Sequence, residues 1–388
     1  MTGERKIPCM RKVAPRDQIR IVNVYKNKQR YENLRKLNRT IRLQQIKRRR
    51  DSHTQMLISQ GLVAGKDLNR RPIILPEIFS FWENYDATSL ALAEIREYGV
   101  NKRIPLDIRF DNVKNLDPSA TLALAAEIFR CRKLRVYRRG VFVTGNYPQS
   151  NDVLAHLSEM GFFRLLEITD ICDRQLLDTD NQRPLFLKFI TDMKVDGATV
   201  NAFVGIIERH IVGLNAVARG KLVGAIKEAM GNVNEHAYKD STKYQSMKKR
   251  WFLSSRVNPA THEVMIMLYD QGVGIPNTIS TDLLETIGAA LAGHIDRKLH
   301  VSDGYTIKLA TEIWRTGTGQ SGRGRGFRDM KQFIDLATDG ELRVLSNRGS
   351  YTYISNDNES SDSLTRSLDG TIIEWRFRSD NPLEMTDD

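Results

Sequence analysis

Apolar positions along this chain change period several times, and each change marks an element. Pro72–Pro76 is a short run of strand type, and a helical pattern starts at Asp86 and runs through Leu90, Leu92, Ile95 and Tyr98. Ile104, Leu106, Ile108 and Phe110 then alternate with more polar neighbours, as a strand does. Pro118 opens an apolar helix through Phe129, Val141–Thr144 reads as a strand, and residues 150–160 read as the next helix. This strand-helix rhythm predicts a small α/β unit over about residues 72–170.

Further on, Pro184–Ile190 reads as a strand and Val200–Val217 as a helix. In the helix that follows, Leu222, Val223, Ala225, Ile226, Ala229 and Met230 give an apolar side. Glu228, Asn232 and His236 recur every four residues and stack on one face. A solvated helix face would show the same spacing; beside a buried core the stripe would line a cavity. There a carboxylate can orient or deprotonate an attacking group, an amide oxygen is a hard ligand suited to magnesium, and an imidazole can meet a phosphate.

Three later segments bear on that stripe. Val264–Asp270 reads as a buried strand that breaks at Asp270 into a turn holding Gly272, Gly274 and Pro276. A carboxylate there can accept a hydrogen bond from an exocyclic amine, and the glycines let backbone approach a flat ring. Gly322, Gly324 and Gly326, with Arg323 and Arg325 between them, precede a helical pattern holding Phe327, Met330, Phe333, Ile334 and Ala337 on one side. Glycines before a helix start make an anion-binding loop, although neither the Walker A spacing nor the dinucleotide fingerprint fits. After a polar loop over residues 356–363, Ile373, Trp375 and Phe377 alternate as in a half-buried strand with Thr371 at its entrance.

In order and content these four boxes resemble the Bergerat-fold (GHKL) ATPases, the superfamily of gyrase B, heat-shock chaperone ATPases, histidine kinases, mismatch-repair ATPases and anti-sigma-factor serine kinases. The resemblance covers about residues 190–378. It implies ATP and Mg2+ as cofactors, with Glu228 as general base and Asn232 as magnesium ligand. Asp270 corresponds to the adenine-reading carboxylate, Gly272 and Gly274 to the first glycine box, and Thr371 to the threonine near adenine. Gly322, Gly324 and Gly326 correspond to the mobile lid over the phosphates. His236 matches the position that anti-sigma kinases fill with histidine, and joins Glu228 as a catalytic candidate. Two departures are a long segment between the glycine boxes and the lid residues Arg323 and Arg325, which either meet phosphate oxygens or project into solvent.

The upstream unit, about residues 72–170, is similar to a STAS domain, the fold of anti-anti-sigma factors, most clearly over Ile108–Ala120. In that family the turn reads Asp-Ser-Ser-Gly and its first serine is phosphorylated; here Pro118 occupies that position and Ala120 replaces the glycine. Ser119 or Thr121 could serve instead, but Asp117 and Pro118 read more simply as a helix cap and first turn. The expected fold class is therefore α/β. A STAS-like domain (71–170) and a connector with one strand (171–197) lead to an ATP-binding α/β sandwich (198–378), a helical layer on a mixed sheet. A basic helical arm (1–70) precedes them and an acidic tail (379–388) follows.

Length, charge and cysteines narrow the setting. At 388 residues the chain exceeds what one core usually organises. Net charge is +12, yet the first fifty residues hold 17 Lys and Arg against 3 Asp and Glu, a net +14, leaving about −2 for the rest. That arm, with Leu34, Leu37 and Ile41 along one edge, could hold nucleic-acid phosphates, pack on a partner, bind an anionic surface or extend into solvent. Cys9, Cys131 and Cys172 form neither a metal motif nor a disulfide framework, and the seven histidines show no zinc spacing. With no apolar stretch of membrane length and no signal-peptide order, a cytoplasmic protein without a membrane partner is expected.

Three functions fit: a magnesium-dependent ATPase whose lid closure switches partner contacts, an anti-sigma-type serine/threonine kinase acting on a STAS-like protein, or a nucleotide-gated scaffold without turnover, for example in phage defence or stress signalling. The partner is a protein in each case, and a homodimer stays open.

Overall fold

The computed structural model describes residues 70–133, 143–165, 184–211, 214–238, 249–279, 302–312, 325–355 and 358–379. The basic arm, Cys9, Cys172, Gly322, Arg323, Gly324 and the tail beyond Ser379 lie outside the described residues.

In the amino-terminal part, β1 (Arg71–Ile74) is followed by β2 (Ile78–Phe79), α1 (Tyr85–Glu94) and a π-helical continuation, Ile95–Asn101. Next come β3 (Leu106–Arg109), β4 (Asn115–Leu116), α2 (Pro118–Lys133), β5 (Val143–Gly145), α3 (Asn151–Glu159) and α4 (Phe162–Leu165). Strands β1, β3 and β5 pair in parallel, in that order, and β2 pairs in parallel with β4. Parallel neighbours need crossovers, which α1 and α2 supply. At the start of α2 the Asp117 carboxylate accepts from the Ala120 N–H at 3.2 Å, the cap that the Asp-Pro pair predicts.

The second part runs β6 (Leu185–Asp192), α5 (Gly197–Ile207), α6 (Ala216–Glu235), β7 (Trp251–Asn258), β8 (Glu263–Asp270), α7 (Asp303–Glu312) and α8 (Arg325–Leu336). It ends with β9 (Thr338–Ser346), β10 (Gly349–Ile354), β11 (Asn358–Ser363) and β12 (Thr371–Arg378). One helix was expected over 200–217. Instead α5 stops at Ile207, and α6 begins afresh where the Asn215 side chain accepts from the Ala218 N–H at 2.8 Å.

The seven strands form one sheet in the order β11-β10-β9-β12-β8-β7-β6. The expected mixed sheet is instead antiparallel at every neighbouring pair. Short turns make hairpins of β7-β8 and β9-β10, and β12 inserts between β8 and β9, running against both. The polar segment expected as a loop contains β11, an edge strand whose mostly exposed polar residues cost nothing because they have no core to face.

Both faces of this sheet are covered. On one, Leu222, Ile226 and Met230 of α6 and Met330, Phe333 and Ile334 of α8 pack on Leu253, Ile266, Leu268, Val344, Ile373 and Trp375. On the other, Phe252, Met265, Met267, Tyr269, Leu345 and Ile372 share a core with Ile108, Leu124 and Ile128 of the amino-terminal part. Strand β12 was expected to be half-buried; it is buried on both faces, because the amino-terminal layer covers Ile372 and Glu374. No helix among the described residues is long and apolar enough to cross a membrane.

Candidate functional site

Glu228, Asn232 and His236 all lie at the carboxyl-terminal end of α6, each half-buried. The neighbouring positions Ala225, Ile226, Ala229, Met230 and Val233 are buried against the sheet, so core packing fixes the face on which the polar stripe stands. Neither the Glu228 carboxylate nor the Asn232 carboxamide makes a hydrogen bond among the described residues. Burial, followed by the charges of Asp329 and Glu235, raises the proton affinity of Glu228. Asp329 belongs to α8, which is tied to α6 by Lys221 Nζ donating to Gln332 Oε1 at 2.6 Å. His236 caps the helix, its Nε2 3.8 Å from the Glu235 carboxylate. Eight residues of helix rise span roughly 12 Å, too far for the Glu228 and His236 side chains to form one dyad.

Helix α6 ends against the glycine turn. The Val273 N–H donates to the Ala237 carbonyl at 2.7 Å, and the Gln271 N–H to the Tyr238 hydroxyl at 3.2 Å. A Cβ on Gly272 would lie 2.2 Å from the Ala237 carbonyl oxygen, so only glycine allows this approach. Gly274 has φ +83°, and a Cβ there would strike the Asn347 side chain at 2.4 Å.

Asp270 ends β8, buried, with Oδ1 accepting from the Gly272 N–H at 2.7 Å. Burial pushes its pKa up to about 7, an effect that the Gly272 hydrogen bond only partly offsets. Thr371 lies opposite it on β12, and Ser346 opposite Thr371 on β9. The Ser346 hydroxyl is 2.9 Å from the Thr371 hydroxyl and 3.2 Å from the Gly370 carbonyl, to which it donates; it also accepts from the Ile275 N–H at 2.8 Å. The Asn347 Nδ2 donates to the Val273 carbonyl at 3.0 Å.

Four separately encoded pieces thus meet at one end of the sheet: the α6 terminus, the glycine turn with Asp270, Thr371, and the β9 turn. Sequence reasoning missed the fourth. Its one signal was the Ser346-Asn347-Arg348-Gly349 cluster between two apolar strands, which marks a turn without marking a site. Of the residues expected in the lid, Arg325 and Gly326 open α8, a helix that packs against α6.

A cavity of about 520 Å³ lies on the opposite face of the sheet, lined by Arg256, Arg343 and Arg376 among others. Glu263 and Glu341 already meet those arginines at 2.7–3.4 Å, so it offers a ligand little uncompensated charge. No group of three or more His, Cys, Asp or Glu arranged to hold a metal occurs among the described residues. The chain matches no model of a known protein family and no curated protein.

Proposed function

We propose that the chain binds magnesium-ATP at this end of the sheet and hydrolyses it, nucleotide turnover switching its contacts with a protein partner. The observation that carries the reading is the convergence of Asp270, Thr371, Ser346 and the glycine turn on the end of the helix that bears Glu228 and Asn232. One Asp270 oxygen is held by Gly272, which leaves the other for the exocyclic amine of adenine. The close backbone approach at Gly272 holds the turn against the end of α6, beside Asp270.

The Asn232 oxygen is an uncommitted hard donor suited to magnesium, which would supply charge neutralisation to the phosphate oxygens. Glu228, with its raised proton affinity, orients the attacking water and accepts its proton more readily than an ordinary surface carboxylate would. The start of α8 offers backbone N–H groups to the phosphates beyond it. Ser119 and Thr121, the alternative phosphorylation positions, are both buried, and their hydroxyls donate to Glu374 and to the Asp117 carbonyl, so neither is an acceptor in this conformation.

Incubating the full chain with magnesium and γ-labelled ATP tests this. Free labelled phosphate is expected, and Glu228→Ala should retain ATP yet lose about a hundredfold or more of the release. Label retained on protein would replace the ATPase with the kinase reading; binding without release would replace it with the scaffold.

A further inference from the structure

The segment from Leu364 to Gly370 runs from the far edge of the sheet back to Thr371, and the amino-terminal layer grips it throughout. The Tyr85 hydroxyl donates to the Arg366 carbonyl at 2.8 Å, and Thr365 donates to Asp86. Arg96, in the π-helical turn, donates to the Leu368 carbonyl at 2.9 Å, to the Asp369 carboxylate, and to Glu127 Oε1 at 3.0 Å. Glu127 also accepts from Arg130, and from the hydroxyl of Tyr269 at 3.4 Å. Tyr269 is the neighbour of Asp270, turned to the opposite face by strand alternation.

This cluster is costly to bury. The Glu127 side chain is 0 % exposed, Arg130 2 % and Arg96 9 %. Apolar side chains of similar volume would often hold two layers together as well, so a buried ionic cluster is better explained by the single geometry it enforces. That geometry has two ends, Tyr269 beside Asp270 and Asp369 two residues before Thr371. The strap is tight where it meets the site: Asp369 has φ +54°, and a Cβ on Gly370 would lie 2.2 Å from the Asp270 carbonyl oxygen. The Leu368 N–H donates to the Asn347 carbonyl at 2.9 Å, joining the strap to the β9 turn as well. Arg96 stands at the start of the π-helical stretch Ile95–Asn101 that continues α1.

We propose that Arg96 is a positioning residue for the nucleotide site, holding the strap so that Thr371 and Ser346 stay in register with Asp270 and the amino-terminal layer thereby sets nucleotide affinity. The affinity part rests on the ATP-binding reading; the holding of the strap does not. The test uses full-length wild type, Arg96→Lys, which keeps the charge but not the planar fork, and Asp369→Asn, whose side chain is half exposed. Amide hydrogen exchange across residues 364–371 without nucleotide reads the strap, while titration with a fluorescent ATP analogue and single-turnover hydrolysis read the site.

Expected are faster exchange in both variants, about tenfold weaker binding in Arg96→Lys and about threefold in Asp369→Asn, with hydrolysis of bound nucleotide unchanged. A merely structural role would lower stability without separating binding from turnover. Unchanged exchange in Arg96→Lys overturns the clamp, and faster exchange with unchanged affinity overturns the positioning role. If wild type binds no nucleotide while exchange responds as expected, the ATP reading fails and the affinity claim falls with it, leaving the strap's anchoring established.

Discussion

The two faces of the seven-stranded sheet solve the same packing problem with different chemistry. Under α5, α6 and α8 the sheet presents Leu253, Ile266, Leu268, Val344, Ile373 and Trp375, and Glu228 and Asn232 stand half-buried at the rim with no side-chain hydrogen bond among the described residues. Under the amino-terminal layer, apolar Phe252, Met267 and Ile372 share the interface with two buried polar groups, Ser119 bonded to Glu374, and Arg96 and Arg130 bonded to Glu127. A rim carboxylate stays free to meet a ligand. A buried ionic cluster permits one docking of two layers and penalises every other, because each displaced charge would lose its partner.

Breaking the buried side should therefore have the largest effect. Glu127→Leu strands Arg96 and Arg130 without their shared carboxylate, and should cost about 3–5 kcal/mol in urea denaturation. A loss under about 1 kcal/mol would mean that the charges carry little of the docking.

On the other side the expected effects are smaller and more local. Gly272→Ala drives a methyl into the Ala237 carbonyl, which should cost about 1–3 kcal/mol and abolish nucleotide binding while circular dichroism stays unchanged. Retained binding would show that α6 and the glycine turn need not touch so closely.

A third effect sharpens the picture through pH. Asp270 titrates at about 7 in the folded chain against an unfolded value near 4, so the folded state holds a proton that the unfolded state releases. Its stabilising contribution is complete below about pH 4 and is lost as pH rises through about 7. Thermal melts from pH 4 to 8 should show wild type losing stability relative to Asp270→Asn over that window. A constant difference would place the carboxylate in contact with water.

The same contrast explains what could be read from the residues. The helical side was legible because α6, β8, α8 and β12 carry strong periods, and because Asp270, Gly272 and Gly274 interrupt a buried strand. Antiparallel pairing was not legible, since period 2 is the same in either orientation. Nor was the covered second face: in sequence Arg96, Glu127 and Arg130 look like the solvated side of their helices, and only the tertiary fold supplies the partners that allow their burial. Ser346 and Asn347 were missed for a related reason, because a turn residue acquires a site only from what packs opposite it.

The most direct measurement is calorimetric titration of the full chain with magnesium-ATP and magnesium-GTP, for wild type and Asp270→Asn. If Asp270 reads adenine, ATP binds wild type and GTP, which carries a carbonyl where adenine has its amine, binds far more weakly. In that case Asp270→Asn loses ATP. Equal binding of the two nucleotides, or ATP binding undiminished in Asp270→Asn, would contradict the assignment of this sheet end as an adenine site.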